Sequence, residues 1–272
     1  MQAEIQIEEG TGLVRLPVSV NDQGPFFFNF DTGASTTTLS TSLAERLGIS
    51  TYKRDRADAR GLGGGVPTDF ARASLKIGDL VFEEDEVYVL DINRMLSCGD
   101  RDGVLGHSTL KTCTLSIDYP HKTIRISNDR VDQTDSEMSW SQFEYIQDTH
   151  LIAIPVTING QGPFDFILDT GAGNTVITPE LANTLSLDLI SIEGIARGIG
   201  GDVELKMARL DYLSTGEIRL NSPQVAVVDL TRVSPKGNLI QNGIIGFDFL
   251  RNLETIIDYP RKLITFVDYR NS

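Results

Sequence analysis

The apolar and polar positions of the chain are arranged mostly as short strands. Leu13-Val14-Arg15-Leu16-Pro17-Val18-Ser19-Val20 has strand composition, and an Asn-Asp-Gln-Gly-Pro turn leads from it into Phe26-Phe27-Phe28-Asn29-Phe30. Helical spacing is confined to brief segments. One runs from Thr41 to Leu47 behind a Ser/Thr capping cluster, and its counterpart runs from Pro179 to Leu185. Another short helix is expected after each of the late glycines Gly106 and Gly246, with Ser108 and Asp248 as candidate N-caps. The pattern predicts an all-β protein with a few short helices.

The same pattern is written twice. Leu13 to Leu47 aligns without a gap on Leu151 to Leu185 at a constant offset of 138, with 17 of 35 positions identical. Later segments echo as well. Arg60-Gly61-Leu62-Gly63-Gly64 returns as Arg197-Gly198-Ile199-Gly200-Gly201, and Gly103-Val104-Leu105-Gly106 as Gly243-Ile244-Ile245-Gly246. Ile117-Asp118-Tyr119-Pro120 returns as Ile257-Asp258-Tyr259-Pro260. A period this long excludes a solenoid and points to a duplicated domain. The polar stretch between the copies reads as a linker. The expected organisation is an N-terminal lobe over 1–128, a linker over 129–141 and a C-terminal lobe over 142–272.

Composition narrows the function classes. At 272 residues with 40% hydrophobic and 23% charged residues, the chain suits a soluble globular protein. No apolar run reaches the length of a membrane span, so no membrane insertion is expected. Nothing at the N-terminus reads as a signal peptide, but a trimmed precursor and a cytosolic start would look alike, leaving cytoplasmic, periplasmic and secreted settings open. The net charge of −14 argues against nucleic-acid partners, which require a basic surface. Cys98 and Cys113 could pair in an oxidising compartment or stay free, and Cys113 sits in an apolar stretch that suggests burial. The three histidines, His107, His121 and His150, form no ligand cluster, so no metal site is expected.

Each copy places Asp-Thr-Gly-Ala directly after an apolar strand, as Asp31-Thr32-Gly33-Ala34 and Asp169-Thr170-Gly171-Ala172. A carboxylate at the end of a buried strand is costly unless hydrogen-bonded. Glycine permits a tight turn, and the threonine hydroxyl can tie that turn down. One such tetrapeptide is weak evidence; its recurrence at matching places in a repeat is strong.

On these loops, the Gly-x-Gly-Gly segments and the late apolar-apolar-Gly strands with their following helices, the chain resembles the retropepsin-like aspartic peptidases. Retropepsins resemble half of this protein and dimerise to assemble one site. The resemblance therefore implies two fused β-barrel lobes in a monomer, an intramolecular pseudo-dimer. It implies catalytic Asp31 and Asp169, supported by Thr32, Gly33, Ala34, Thr170, Gly171 and Ala172. It also implies substrate-binding flaps at Gly61, Leu62, Gly63 and Gly64 and at Gly198, Ile199, Gly200 and Gly201. The end strands, Thr114 to Ser127 and Glu254 to Asp268, are candidates for the contact between lobes. The implied function is an endopeptidase that hydrolyses a peptide or protein substrate by general acid–base water attack, with no cofactor and no covalent intermediate. Two carboxylates so close share one proton.

The departures are specific. Retroviral enzymes usually follow the alanine with an Asp that pairs with an Arg after the late glycine; here Ser35 and Gly173 face His107 and Phe247. Pepsin-type enzymes place a Ser or Thr hydroxyl where this chain has Ala34 and Ala172, so an optimum above strongly acid pH is expected. The flap tips differ too. Gly65-Val66-Pro67-Thr68 stands against Asp202-Val203-Glu204-Leu205, whose two carboxylates share one strand face and would read basic substrate residues if that face looked at the substrate.

Other motifs fail. Gly61-x-Gly63-Gly64-Gly65 is followed by Val66 and strand rather than a dinucleotide-binding helix. The chain has no P-loop and no Gly-x-Ser-x-Gly elbow. The acyl-phosphate phosphotransferases need residues absent here. The rival from another class is a catalytically silent peptide-binding or scaffolding module of the same fold.

Overall fold

The computed structural model describes residues 2–61, 64–96, 100–128, 139–198, 201–233 and 240–271. Leu62, Gly63, Ile199 and Gly200 of the expected flap tips, Cys98, and residues 129–138 of the expected linker lie outside them.

Each lobe starts from one hairpin whose turn the sequence specifies. Val14–Val20 joins Gln23–Phe30 through Asn21 (φ 49°) and Asp22 (φ 61°), and Ile152–Ile158 joins Gln161–Leu168 through Asn159 (φ 50°) and Gly160 (φ 80°). Two consecutive left-handed residues are what a two-residue hairpin turn matching the strand twist needs, and Asn tolerates that conformation well. The asparagines also pin the turn outward. Asn21 Oδ1 accepts from Ser74 N at 2.9 Å, and Asn159 Oδ1 accepts from Asp211 N at 2.8 Å. Along the first strand Val14, Leu16, Val18 and Val20 are fully buried, and Ile152, Ile154, Val156 and Ile158 repeat this. Each such side chain contributes about 1.5–3 kcal/mol.

From these hairpins grow an eight-stranded and a ten-stranded sheet, one per lobe. Both curl back on themselves. The first is closed by Ser19–Lys76 and Val20–Leu75, the second by Thr157–Ser214 and Ile158–Leu213. The helices fall where the spacing places them, Thr41–Arg46 capped by Ser40 and Pro179–Thr184 capped by Thr178. After the late glycines, His107–Leu110 and Phe247–Leu250 are helical, but the expected caps are not. Gly106 and Gly246 occupy the cap positions. Ser108 and Asp248 lie inside the helices and turn toward the segments after the Asp-Thr-Gly-Ala loops, where they accept from Thr37 N at 3.0 Å and Thr175 N at 2.7 Å.

A third sheet, six-stranded, joins the lobes. Its centre pairs Thr114–Asp118 antiparallel with Leu253–Asp258, and Ser116 faces Ile256 at the middle of the register. Each side is extended by that lobe's next strand, Thr123–Ser127 or Leu263–Asp268. The outer edges are Gln2–Glu4 and Ser141–Gln142. Ser141, expected to end the linker, is thus paired strand, and the repeat extends further toward the N-terminus of each lobe than the identities alone reveal. Glu254, buried, ties the seam by accepting from Ser116 Oγ and Arg125 Nη2, each at 2.6 Å. One apolar core runs through both lobes and the seam, and Cys113 is a buried free thiol within it. Among the described residues no helix is long and apolar enough to cross a membrane.

Candidate active site

Asp31 and Asp169 each follow the last residue of the inner hairpin strand. Beside that strand lies the late apolar segment, Gly103–Leu105 or Gly243–Ile245, parallel to it and antiparallel to the short strand after the loop. Leu105 O accepts from Asp31 N and Ile245 O from Asp169 N, both at 3.1 Å. Each aspartate is thereby fixed at a strand end with its side chain turned toward the opposite lobe.

The threonines lock the two loops together. Thr32 Oγ1 donates to Leu168 O at 2.9 Å and accepts from Thr170 N at 3.1 Å. Thr170 Oγ1 donates to Phe30 O at 3.0 Å and accepts from Thr32 N at 3.0 Å. Both side chains are fully buried, so each hydroxyl satisfies backbone groups of the other lobe that water cannot reach. The next residue must be glycine for a spatial reason. A Cβ on Gly33 would lie 2.7 Å from the Asp169 carboxyl carbon, and one on Gly171 would lie 2.5 Å from that of Asp31.

Each carboxyl group therefore reaches the glycine of the opposite loop, which brings the two together between the lobes. Asp31 Oδ1 also accepts from Gly33 N at 2.8 Å and Ala34 N at 3.0 Å. Asp169 Oδ1 accepts from Gly171 N at 2.7 Å, with Gly33 N and Ala172 N adding to the donors around it. Burial raises the Asp31 carboxyl well above the usual range, and the negative charge of Asp169 raises it further. Burial raises Asp169 too, but its backbone donors and the bond from Asp31 offset part of that. Both carboxyls are thus held against ionising together, so the pair shares one proton.

Beside each loop lies a small apolar cluster. Ala34 packs with Ala59, Val66, Tyr88, Leu90, Ile92 and Val104, and Ala172 packs with Val176, Val203, Ala226, Val228, Leu230 and Ile244. Val66 and Val203 come from the glycine-rich hairpins, which end at Gly61 paired with Gly64 and at Gly198 paired with Gly201. Each hairpin also touches the other lobe. The turn Thr231–Val233 contacts both strands of the first, and helix Ile92–Leu96 contacts strand Leu189–Gly198 of the second.

The register decides which way the two carboxylates of the second glycine-rich hairpin face. Val203, Leu205 and Met207 pack on the side of Ala172, while Asp202 and Glu204 lie exposed on the opposite face. They do share a face, but it is directed away from the loop.

The retroviral ion pair is replaced by unlike groups on the two sides. Ser35 Oγ pairs only loosely with Thr36 Oγ1 at 3.4 Å. The His107 ring lies 5.6 Å from that of His150 and 5.4 Å from that of Tyr259, with Nε2 3.4 Å from Tyr145 Oη. Phe247 instead packs on Tyr119 at 5.7 Å and covers Gly12, where any Cβ would sit 1.9 Å from its ring. The sequence reading left out two groups that support the loops. Thr37 and Thr175 donate their backbone N–H to Ser108 and Asp248 and accept from Gly106 N and Gly246 N. Their identity across the repeat was the available signal. His150, whose Nε2 donates to Gly33 O at 2.8 Å, gave none, because its counterpart is Gly12. Among the described residues no group of three or more His, Cys, Asp or Glu is placed to hold a metal.

No curated protein matches the chain. The family model described as aspartyl protease matches residues 16–109 and again 154–249, spans that contain both Asp-Thr-Gly-Ala loops, both glycine-rich hairpins and both late strands. The two matches together cover most of its length, and the chain belongs to the aspartyl protease family.

Proposed function

We propose that the protein is an endopeptidase acting as a monomer, with Asp31 and Asp169 as its catalytic dyad. The observation that carries this is the meeting of two half-buried carboxyls, one from each half, each against the glycine of the opposite loop; a pair so placed holds a single proton. The substrate is a peptide held extended between the lobes, its backbone met by the glycine-rich hairpins and its apolar side chains by the clusters at Ala34 and Ala172.

In the first step a water oxygen bonds to the scissile carbonyl carbon. The water gives a proton to ionised Asp169, and Asp31 gives its proton to the carbonyl oxygen, forming a neutral gem-diol. On collapse one diol hydroxyl returns a proton to Asp31, the C–N bond breaks, and the amine nitrogen takes the proton held by Asp169. The products are an acid and an amine, and the dyad returns to its starting state. The burial that raises both carboxyls, together with the missing hydroxyls at Ala34 and Ala172, favours work above strongly acid pH.

The test is cleavage of an unstructured protein such as casein, with and without a statine-type inhibitor. Inhibitor-sensitive cleavage whose specific activity is constant on dilution through the nanomolar range is expected. Binding without turnover would defeat the reading in favour of a peptide-binding module, and activity lost on dilution would defeat the monomer.

A further inference from the structure

The two aspartate loops share a backbone but not the groups that stand behind them. His150, from the second lobe, donates through Nε2 to the carbonyl oxygen of Gly33 at 2.8 Å. That carbonyl and the N–H of Ala34 belong to one peptide unit, and the Ala34 N–H donates to Asp31 Oδ1 at 3.0 Å. Imidazole, peptide and carboxyl thus form a chain of two hydrogen bonds. Drawing charge toward the oxygen of a peptide makes its N–H a stronger donor, and a stronger donor favours the ionised carboxyl it faces.

The second loop has no such relay. The repeat puts Gly12 where His150 stands, and glycine has no side chain to donate. Phe247 covers Gly12, and the Thr11 carbonyl closes on Gly173 so tightly that a Cβ there would lie 2.5 Å from its oxygen. The relay is therefore one-sided, and it acts on the Asp31 carboxyl alone.

The surroundings keep the imidazole in place. The His107 ring lies tilted at 42° beside it with ring centroids 5.6 Å apart, and Tyr145 and Tyr259 back His107 in turn. The titratable and charged groups around the pair are His107, Tyr145, Tyr259, Lys111 and the Asp31 carboxyl. Burial holds both imidazoles below their usual range, although the bond to Gly33 acts in the opposite direction on His150. A carbonyl can only accept, so Nε2 of neutral His150 carries the proton.

We propose that His150 is a positioning residue of the dyad, setting the ionisation of Asp31 from the other lobe through the Gly33–Ala34 peptide. The proposal rests on the dyad reading above, and its test separates the two. His150→Leu removes the donor, and His150→Gln keeps an amide N–H. Two readouts are compared with wild type: the pH profile of kcat/KM, and the carboxyl ¹³C titration of Asp31 assigned with Asp31→Asn. His150→Leu is expected to raise the alkaline-limb pKa and the Asp31 titration by about half a unit. His150→Gln is expected to stay within about 0.2 unit of wild type. Superimposable wild-type and leucine titrations, or equal shifts in both variants, would overturn it. If the leucine variant does not fold, His150→Asn, whose amide is too short to reach Gly33 O, is judged by the same criteria. The carboxyl titration needs no substrate, so an inactive wild type would defeat the catalytic reading while still deciding this one.

Discussion

The first lobe carries its outer hairpin as one long ribbon, Gly64–Ile77 paired with Leu80–Leu90. The second lobe follows the same path but interrupts both strands, at Leu210 and Asp211 between Gly201–Arg209 and Tyr212–Thr215, and at Ser222 and Pro223 between Ile218–Asn221 and Gln224–Val227. Around the loops the two lobes differ just as much, with His107 and His150 on one side and Phe247 and Gly12 on the other. Within the loops they agree almost atom for atom. Two carboxyls brought together and two crossed threonines leave no room for variation, whereas ribbons and ring clusters need only close the sheet and fill space.

The sharpest test of that equivalence is to remove one carboxyl at a time. Asp31→Asn and Asp169→Asn should each lower kcat by at least about 10³-fold while keeping a cooperative melt, because each group has its own proton to move. A variant that kept substantial activity would show that one side suffices.

Next in size is the threonine lock. Thr32→Val leaves Leu168 O and Thr170 N without partners, and Thr170→Val leaves Phe30 O and Thr32 N in the same state. Each variant should lose about 3 kcal/mol in denaturant unfolding, since a buried orphan costs about 1–3 kcal/mol. Unequal losses would mean that the lock is symmetric in form but not in load.

A smaller effect comes from making one side like the other. Burial, then the facing His150 and Lys111, push the His107 imidazole from 6.5 down to about 4. Between those values the unfolded chain holds a proton that the folded chain refuses, so this group's share of stability is full above pH 6.5 and falls as pH drops toward 4. His107→Phe, which copies Phe247, should lose less Tm than wild type between pH 6.5 and pH 4. An identical loss in both proteins would assign the acid sensitivity elsewhere.

The smallest effect is expected on the second glycine-rich hairpin. With Asp202 and Glu204 turned away from Ala172, the Asp202→Asn, Glu204→Gln double variant should leave a peptide-library cleavage profile unchanged. A lost preference for Lys or Arg would place these carboxylates against substrate after all.

What the chain states openly is whatever it states twice. The hairpin turns at Asn21 and Asn159, the short helices and the Asp-Thr-Gly-Ala loops could be read because identical residues recur at one offset. Features that exist in one lobe alone were hidden. His107 and His150 are 43 positions apart and meet only because the lobes are joined. The facing of Asp202 depended on strand register, which alternation leaves ambiguous between two faces. The edge strands Gln2–Glu4 and Ser141–Gln142 are too short to carry a pattern and are defined by the partner they pair with. Ser108 and Asp248 look like helix caps from their local sequence, and a tertiary partner outcompetes that role.

The seam sheet bears on what would become of a severed half. With its mate gone, the five-residue strand Thr114–Asp118 would present a bare row of amides and carbonyls, with Leu115 and Ile117 stripped of their cover. Because the register is symmetric about Ser116 and Ile256, such an edge fits a second copy of itself nearly as well as it fits the other half. A half-chain is therefore an adhesive fragment with a choice of mates. The covalent tether removes the choice, since it keeps the proper edge at a local concentration that no stray copy matches.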